Sequence, residues 1–327
     1  MLAETFTIAR GARDRASVVH VEVHHAGVVG YGEGSPNPRY GETAESALSF
    51  IQEHADLVGD DPWAHADVMQ RLAEAPGEEA AKAAIDAALF DLRGKLISLP
   101  VYRLLGLPRN GPQTTLTISL ADPDVMARSA EKVVSRAARL KLKLGGGDGL
   151  DVERVRAVRS VTDVPIQVDV NEWWTFDEAL PAMHALADLD VDYCEQPLAA
   201  ADEKGQELRE LAPIPIYVDE DCRTLADVAA CSRIAHGINI KLAKCGGIAE
   251  AIRMVHAARA LNLGVMLGSM VESGLGIAAA AAMASLCDHV DLDANLLLKR
   301  DPWPGVALIA GIQTPSKDPG LGVREAS

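Results

Sequence analysis

Two regimes of hydrophobic patterning divide the chain. From residue 1 to about 45 apolar and polar positions alternate. Between Ser17 and Val23 the valines at 19, 21 and 23 fall on one side with polar residues between them, the two-residue period of a half-buried strand. Gly30-Tyr-Gly-Glu-Gly-Ser-Pro36 reads as turn residues that interrupt this alternation. A helical period then takes over at 42–57, 62–73 and 79–97. In the last segment Ala81, Ile85, Ala88, Leu89 and Leu92 recur as an apolar stripe. Strands followed by helices indicate an α+β unit, which ends near Asn110.

From about Thr114 short β-rich runs alternate with alanine-rich helical stretches. The predicted strands are 114–119, 139–143, 165–169, 191–195, 215–218, 237–241, 263–267 and 289–292. Helices fall between them near 123–137, 150–162, 176–188, 203–211, 223–233, 247–261 and 275–286. Eight strands with a helix between each neighbouring pair give an α/β fold, a (β/α)7β TIM-like barrel. Strand count alone also admits a doubly wound open sheet, but no G-x-G-x-x-G follows an early strand to support its nucleotide-binding form. The expected organisation is therefore an N-terminal α+β capping domain (1–110), a barrel (111–298) and a C-terminal segment (299–327) that returns to complete the capping domain.

Composition narrows the partners. With 31 Lys+Arg against 47 Asp+Glu the net charge is −16, and no basic run interrupts it, so neither nucleic acid nor a membrane surface is an expected partner. The most membrane-like stretch, 277–286, is too short to span a bilayer. The five cysteines form no C-x-x-C pair, which suits a reducing cytoplasm without structural zinc. The nine histidines read as surface or packing residues, and no G-x-S-x-G supports serine catalysis.

Barrel chemistry sits at the C-terminal ends of the strands. Asp169, Glu195 and Asp219 stand at three successive ends, 26 and then 24 residues apart, one strand-loop-helix unit each time. One acid at a strand end is ordinarily a helix cap or a solvated loop residue; three in register converge. Oxygen donors without His or Cys suit a hard cation, Mg2+ in particular. Lys143 and Lys241 flank the acids from the second and sixth strands, placed to move a proton at opposite faces of a carbon acid. Mg2+ and mutual repulsion are expected to lower a lysine pKa far enough for it to act as base. Lys141 contributes electrostatically. Asp291 and Asp293 end the last strand; they would repel a phosphate and suit an ammonium group. Gly145-Gly-Gly147 and Gly246-Gly247 read as tight turns rather than phosphate cradles; the Met and Trp residues read as core or loop packing, with a lid over the mouth as the alternative for Trp173-Trp174.

These residues resemble the enolase superfamily, in its muconate-lactonizing subgroup. The resemblance covers nearly the whole chain and rests on Ala84-Ile-Asp-Ala-Ala-Leu-Phe-Asp-Leu-Arg-Gly-Lys95, Lys141-x-Lys143, the three acids, and Asn239-Ile-Lys-Leu-Ala-Lys-Cys-Gly-Gly247. Such sites use Lys or His bases with Mg2+. Asp291-x-Asp293 resembles the motif with which dipeptide epimerases hold a substrate ammonium. Phe6-Thr-Ile-Ala-Arg-Gly-Ala-Arg13 with Pro38–Thr43 is similar to the L-Ala-D/L-Glu epimerases. The resemblance implies a mobile loop over the substrate, Arg10 (with Arg13 second) as partner of a glutamate side chain, and Met270 lining the pocket. It also implies one Mg2+ per subunit, two-base 1,1-proton transfer through an enediolate, a cytoplasmic role in murein peptide recycling, and possible homo-oligomers.

The lysine on the sixth strand, and the absence of a His-Asp dyad, argue against a sugar-acid dehydratase. An o-succinylbenzoate synthase, cycloisomerase or N-acylamino-acid racemase shares the intermediate but has no ammonium for Asp291 and Asp293. A non-catalytic barrel tolerates loss of a ligand or lysine, yet all five are present; a phosphate-binding aldolase wants basic residues where this chain has acids. Strand five reads Asp219-Glu-Asp-Cys222, where a serine is common after Asp-Glu; strict alternation puts Asp219 and Asp221 on one face and Glu220 on the other.

Overall fold

The computed structural model describes residues 1–326. Two short strands, β1 (Phe6–Ile8) and β2 (Gly11–Arg13), open the chain as an antiparallel hairpin. A longer pair follows, β3 (Val19–His25) and β4 (Val28–Gly34), then three helices, α1 (Ala44–Glu53), α2 (His65–Glu74) and α3 (Glu79–Leu96). Thr43 and Ser46 cap α1 reciprocally, so it begins two residues after the expected start. It stops at Glu53, and 55–58 wind as a 3-10 turn instead.

The glycines at 30, 32 and 34 do not interrupt the second strand; they form its second half. Alternate strand residues share a face, and α3 lies on that face. A Cβ at Gly30, Gly32 or Gly34 would stand 2.2, 2.0 or 2.1 Å from the backbone oxygens of Ala88, Ala84 and Ala80. Glycines spaced by two thus meet alanines spaced by four, and the helix backbone rests directly on the strand. Gly32→Ala is expected to destabilise the protein by about 3 kcal/mol or more, since the obstructing atom is backbone and cannot swing aside. A urea unfolding midpoint equal to the parent's would sink this explanation.

Eight parallel strands make the barrel: β5 (Thr115–Ile118), β6 (Arg139–Lys143), β7 (Ile166–Asp169), β8 (Val191–Glu195), β9 (Ile216–Val218), β10 (Gly237–Lys241), β11 (Gly264–Gly268) and β12 (His289–Asp291). They pair in chain order, each bounded within one residue of its predicted limits. Thr114 bridges Val290 in parallel and the Thr115 hydroxyl donates to Asp291 at 2.6 Å, which brings the first and last strands together. Along each strand Leu140, Leu142, Val168, Ile240 and Leu267 are wholly buried in the main apolar core, and the residues alternating with them, Lys141, Lys143, Asp169 and Lys241, belong to the barrel interior. Several helices are shorter than expected: 123–137 ends at Val133, 275–286 ends at Ala281, and 223–233 becomes a 3-10 turn followed by Val228–Ile234. Among the described residues no helix is long and apolar enough to cross a membrane.

Two acids of α3 tie the chain together. Asp86, wholly buried, accepts the Ile248 N–H at 2.5 Å, capping the helix Ile248–Ala260. Asp91 accepts N–H groups from Tyr31 at 2.8 Å and Leu321 at 2.7 Å. Residues after the barrel run back over this helix: the Val101 N–H donates to the Gly320 carbonyl at 2.9 Å, and the Trp303 and Tyr31 rings lie 5.0 Å apart.

Candidate active site

Strand register builds the site. Lys143, Asp169 and Glu195 lie side by side across β6, β7 and β8; Lys241, Gly268 and Asp291 do so across β10, β11 and β12. A Cβ at Gly268 would stand 3.1 Å from Lys241 Cε and 2.8 Å from Asn239 Oδ1, so glycine there leaves both side chains their room. β6 and β10 are four strands apart in a barrel of eight. Lys143 and Lys241 therefore rise from opposite sides of the mouth.

Between them the charges interlock. Lys143 Nζ lies 2.5 Å from Asp169 Oδ2 and Lys241 Nζ 2.8 Å from Asp219 Oδ2. Lys141, 1% exposed, reaches Asp169 at 3.1 Å, Glu195 at 2.7 Å and Asp291 at 2.8 Å. Asn239 Nδ2 donates to Glu195 Oε1 at 2.7 Å. Burial acts to lower the Lys141 pKa, but Asp169, Asp291 and Glu195 outweigh it and raise it well above the ordinary value. Lys241 is raised likewise, burial being overcome by Asp219 and Glu195. For Lys241 the direction is set by the carboxylates beside it. Asp219 is driven well below the carboxylate range, against its burial, by Lys241 and Lys244.

Among the described residues no three acidic, His or Cys side chains are drawn into one metal shell; the three carboxylates turn to lysines instead. Their chemistry nevertheless fits a hard cation. Asp169, Glu195 and Asp219 are at most 2% exposed, and all are oxygen donors. Glu195 remains under-compensated: burial and the charge of Asp169 push its pKa up, Lys141 opposes, and Asp219 adds to the rise. A buried carboxylate crowded by two others is the arrangement a divalent ion relieves.

The strand ends open into a cavity of about 440 Å3, lined by Lys141, Lys143 and Lys241 on the barrel side and by Phe6, Ile8 and Arg10 from the first hairpin. Asp169 and Glu195 do not line it; they lie fully buried behind the lysines. Asp291 and Asp293 do line it, and they differ. Asp291 is committed to Lys141 and Thr115. Asp293 accepts the Thr117 N–H at 2.6 Å and, among the described residues, pairs with no cation, while burial together with the charge of Asp291 pushes it up to about 7. Met270 also lines the cavity, with Asn37 Nδ2 donating to its Sδ at 3.5 Å.

Arg10 reaches the cavity already engaged. Its Nη1 donates to the Asn171 carbonyl and to Glu172 Oε2, both at 3.0 Å, and its Nη2 lies 2.7 Å from Glu220 Oε1. Glu220 faces the mouth, contrary to strict alternation, because β9 ends at Val218 and the next residues turn. Gln196 Oε1 shapes that turn by accepting the N–H groups of Asp219, Glu220 and Asp221 at 2.9, 3.0 and 3.3 Å. Asp221 instead turns away to Gln196 Nε2 and the Ala201 N–H, each 2.7 Å.

Trp173-Trp174 is not a lid. Trp174 is buried with its Nε1 donating to Asp151 at 2.8 Å, and neither ring lines the cavity. Gly145 makes a tight turn (φ 90°) with its N–H donating to Asp151, which leaves no anion cradle. Sequence reasoning assigned no role to Asn239 or Lys244. Asn239 had a signal, since it sits two residues before Lys241 on one strand. Lys244 lies in the helical turn Leu242–Cys245 beyond that strand, where alternation is silent; its Nζ donates to Asp219 Oδ1 at 2.5 Å and to the carbonyls of Asp219, Cys222 and Asn239.

Comparison with known proteins bears on this geometry. Residues 125–325 match the family model "Enolase C-terminal domain-like", and residues 1–106 match "Mandelate racemase / muconate lactonizing enzyme, N-terminal domain". The chain is 38% identical to the L-Ala-D/L-Glu epimerase of Bacteroides thetaiotaomicron, over 98% of this chain and 85% of that protein. It is 36% identical to a hydrophobic dipeptide epimerase of Roseobacter litoralis, over 96% and 93%. The crystal structure of an Enterococcus faecalis dipeptide epimerase complexed with Mg and L-Leu-L-Tyr superposes with a TM-score of 0.94 at 35% identity, covering 98% of this chain and 96% of that one.

Proposed function

The chain belongs to the mandelate racemase/muconate lactonizing enzyme family of the enolase superfamily, and from that premise we propose that it is a Mg2+-dependent dipeptide epimerase, acting on L-Ala-L-Glu. The observation that carries this reading is the pair Lys143 and Lys241, set on opposite sides of the barrel mouth with three buried carboxylates between them. One neutral lysine takes the α-proton of the dipeptide's second residue from one face, and the protonated lysine opposite returns one to the other face. Asp169, Glu195 and Asp219 are the residues that would hold Mg2+. When bound, the ion would supply positive charge that neutralises the substrate carboxylate and the charge added by proton removal; Asp219 and Glu195, which hold Lys241 protonated, would then be shared with it. Lys141 adds fixed positive charge beside them. Asp293, lacking a cation of its own, receives the substrate ammonium, with Asp291 beside it. Arg10 and Met270 border the second side chain.

This assignment makes the protein an isomerase and suits a cytoplasmic enzyme of murein peptide recycling. Purified protein incubated with L-Ala-L-Glu and Mg2+ should produce a second set of diastereomer signals in 1H NMR, and EDTA should stop their growth. A spectrum that stays unchanged for L-Ala-L-Glu and for L-Ala-L-Leu alike overturns the reading.

A further inference from the structure

Three arginines border the hairpin end of the cavity: Arg10, Arg13 and, from the turn Pro38–Tyr40, Arg39. Arg10 and Arg39 converge on one carboxylate. Arg39 Nε and Nη2 donate to Glu172 Oε2 and Oε1 at 2.9 and 2.7 Å, Arg10 Nη1 donates to Oε2 at 3.0 Å, and the Ala200 N–H donates to Oε1 at 3.0 Å. Burial acts to raise the Glu172 pKa, but Arg39 and that N–H, with Arg10, hold it below the ordinary value. The backbone that aims Glu172 is unfavourable for side-chain-bearing residues: φ is 50° at Asn171 and 71° at Glu172. Such conformations cost of order 1 kcal/mol each and persist where the surroundings hold them and function uses them. Here the Glu172 N–H is held by the Gln196 carbonyl at 2.9 Å.

We propose that Glu172 sets the charge preference for the second side chain of the dipeptide: it is a resident carboxylate that competes with an acidic substrate side chain for Arg10 and Arg39. This rests on the dipeptide epimerase reading and deepens it. Arg10, Arg13 and Arg39 line this end of the cavity, and Glu172, itself outside the lining, holds two of the three. An acidic side chain gains the full pull of Arg10 and Arg39 only by displacing Glu172, whereas a neutral one displaces nothing. Neutralising Glu172 adds one unit of positive charge and removes the competitor.

The test compares L-Ala-L-Glu with L-Ala-L-Gln, matched in shape and different in charge. Glu172→Gln is expected to raise the ratio of kcat/KM for the acidic over the neutral dipeptide about tenfold, through KM. Arg39→Gln, which leaves Glu172 wholly to Arg10, is expected to lower that ratio, and it decides the matter should Glu172→Gln fail to fold. A residue that merely clasps the hairpin to the barrel would, when changed, slow both dipeptides alike. An unchanged or reduced ratio in Glu172→Gln, or an unchanged or raised one in Arg39→Gln, overturns the proposal. Should the parent protein epimerise neither dipeptide, the reaction is wrong, and the same ratio is read from calorimetric dissociation constants with Mg2+ present. Equal constants in parent and variant, or no binding of either dipeptide, then overturn the role of Glu172.

Discussion

Lys241→Ala and Lys143→Ala each lose epimerase activity by about a thousandfold or more, the scale of a proton-transfer group that cannot be replaced by solvent. The fold survives both changes. Asp219 keeps Lys244 at 2.5 Å when Lys241 is gone, and Asp169 keeps Lys141 at 3.1 Å when Lys143 is gone. No carboxylate is left buried without a cation, so thermal unfolding should shift little. Lys241→Arg separates charge from chemistry: it preserves the ion pair with Asp219, yet a guanidinium cannot shed its proton and serve as base. Arginine at 241 is therefore expected to be as inactive as alanine. Full turnover by the arginine variant would reduce Lys241 to an electrostatic group and remove it from proton transfer.

Asp219→Asn carries the second large effect. It removes one of three charges proposed for the cation, and with it several kcal/mol of charge stabilisation in the reaction, about a thousandfold in rate. It also withdraws the counter-ion of two buried lysines, Lys241 and Lys244. Breaking buried pairs from one side costs about 3–5 kcal/mol, here moderated because Lys244 keeps three carbonyl partners. Weaker Mg2+ binding by calorimetry, lower activity and a lower melting temperature are thus expected together. Unaltered Mg2+ affinity would take Asp219 out of the ligand set, whatever happened to the rate.

The barrel was legible because two independent signals coincide. A two-residue apolar period marks each strand, and the polar residues that break it, such as Lys141 and Lys143, fall at the ends where barrel chemistry belongs. Elsewhere local rules met tertiary context. Gly30, Gly32 and Gly34 look like a turn because glycine favours turns, and only the approach of Ala80, Ala84 and Ala88 shows why a strand needs them. Glu220 was placed on the far face by alternation, a rule that lapses where β9 ends at Val218. Glu172 had no signal at all, since its direction comes from a left-handed backbone that nothing in Asn171-Glu-Trp173 announces. Asp86 and Asp91, read only as part of a family marker, prove to be anchors for a barrel helix and the returning tail.

Proton transfer at one α-carbon is divided between two lysines, one serving each face. This division is tested most directly by 1H NMR in D2O, with Lys143→Ala and Lys241→Ala proteins each given pure L-Ala-L-Glu and pure L-Ala-D-Glu. Each variant should wash out the α-proton of one diastereomer only, the two variants should choose opposite diastereomers, and neither should interconvert them. Exchange of the same diastereomer by both variants, or continued interconversion by either, contradicts it.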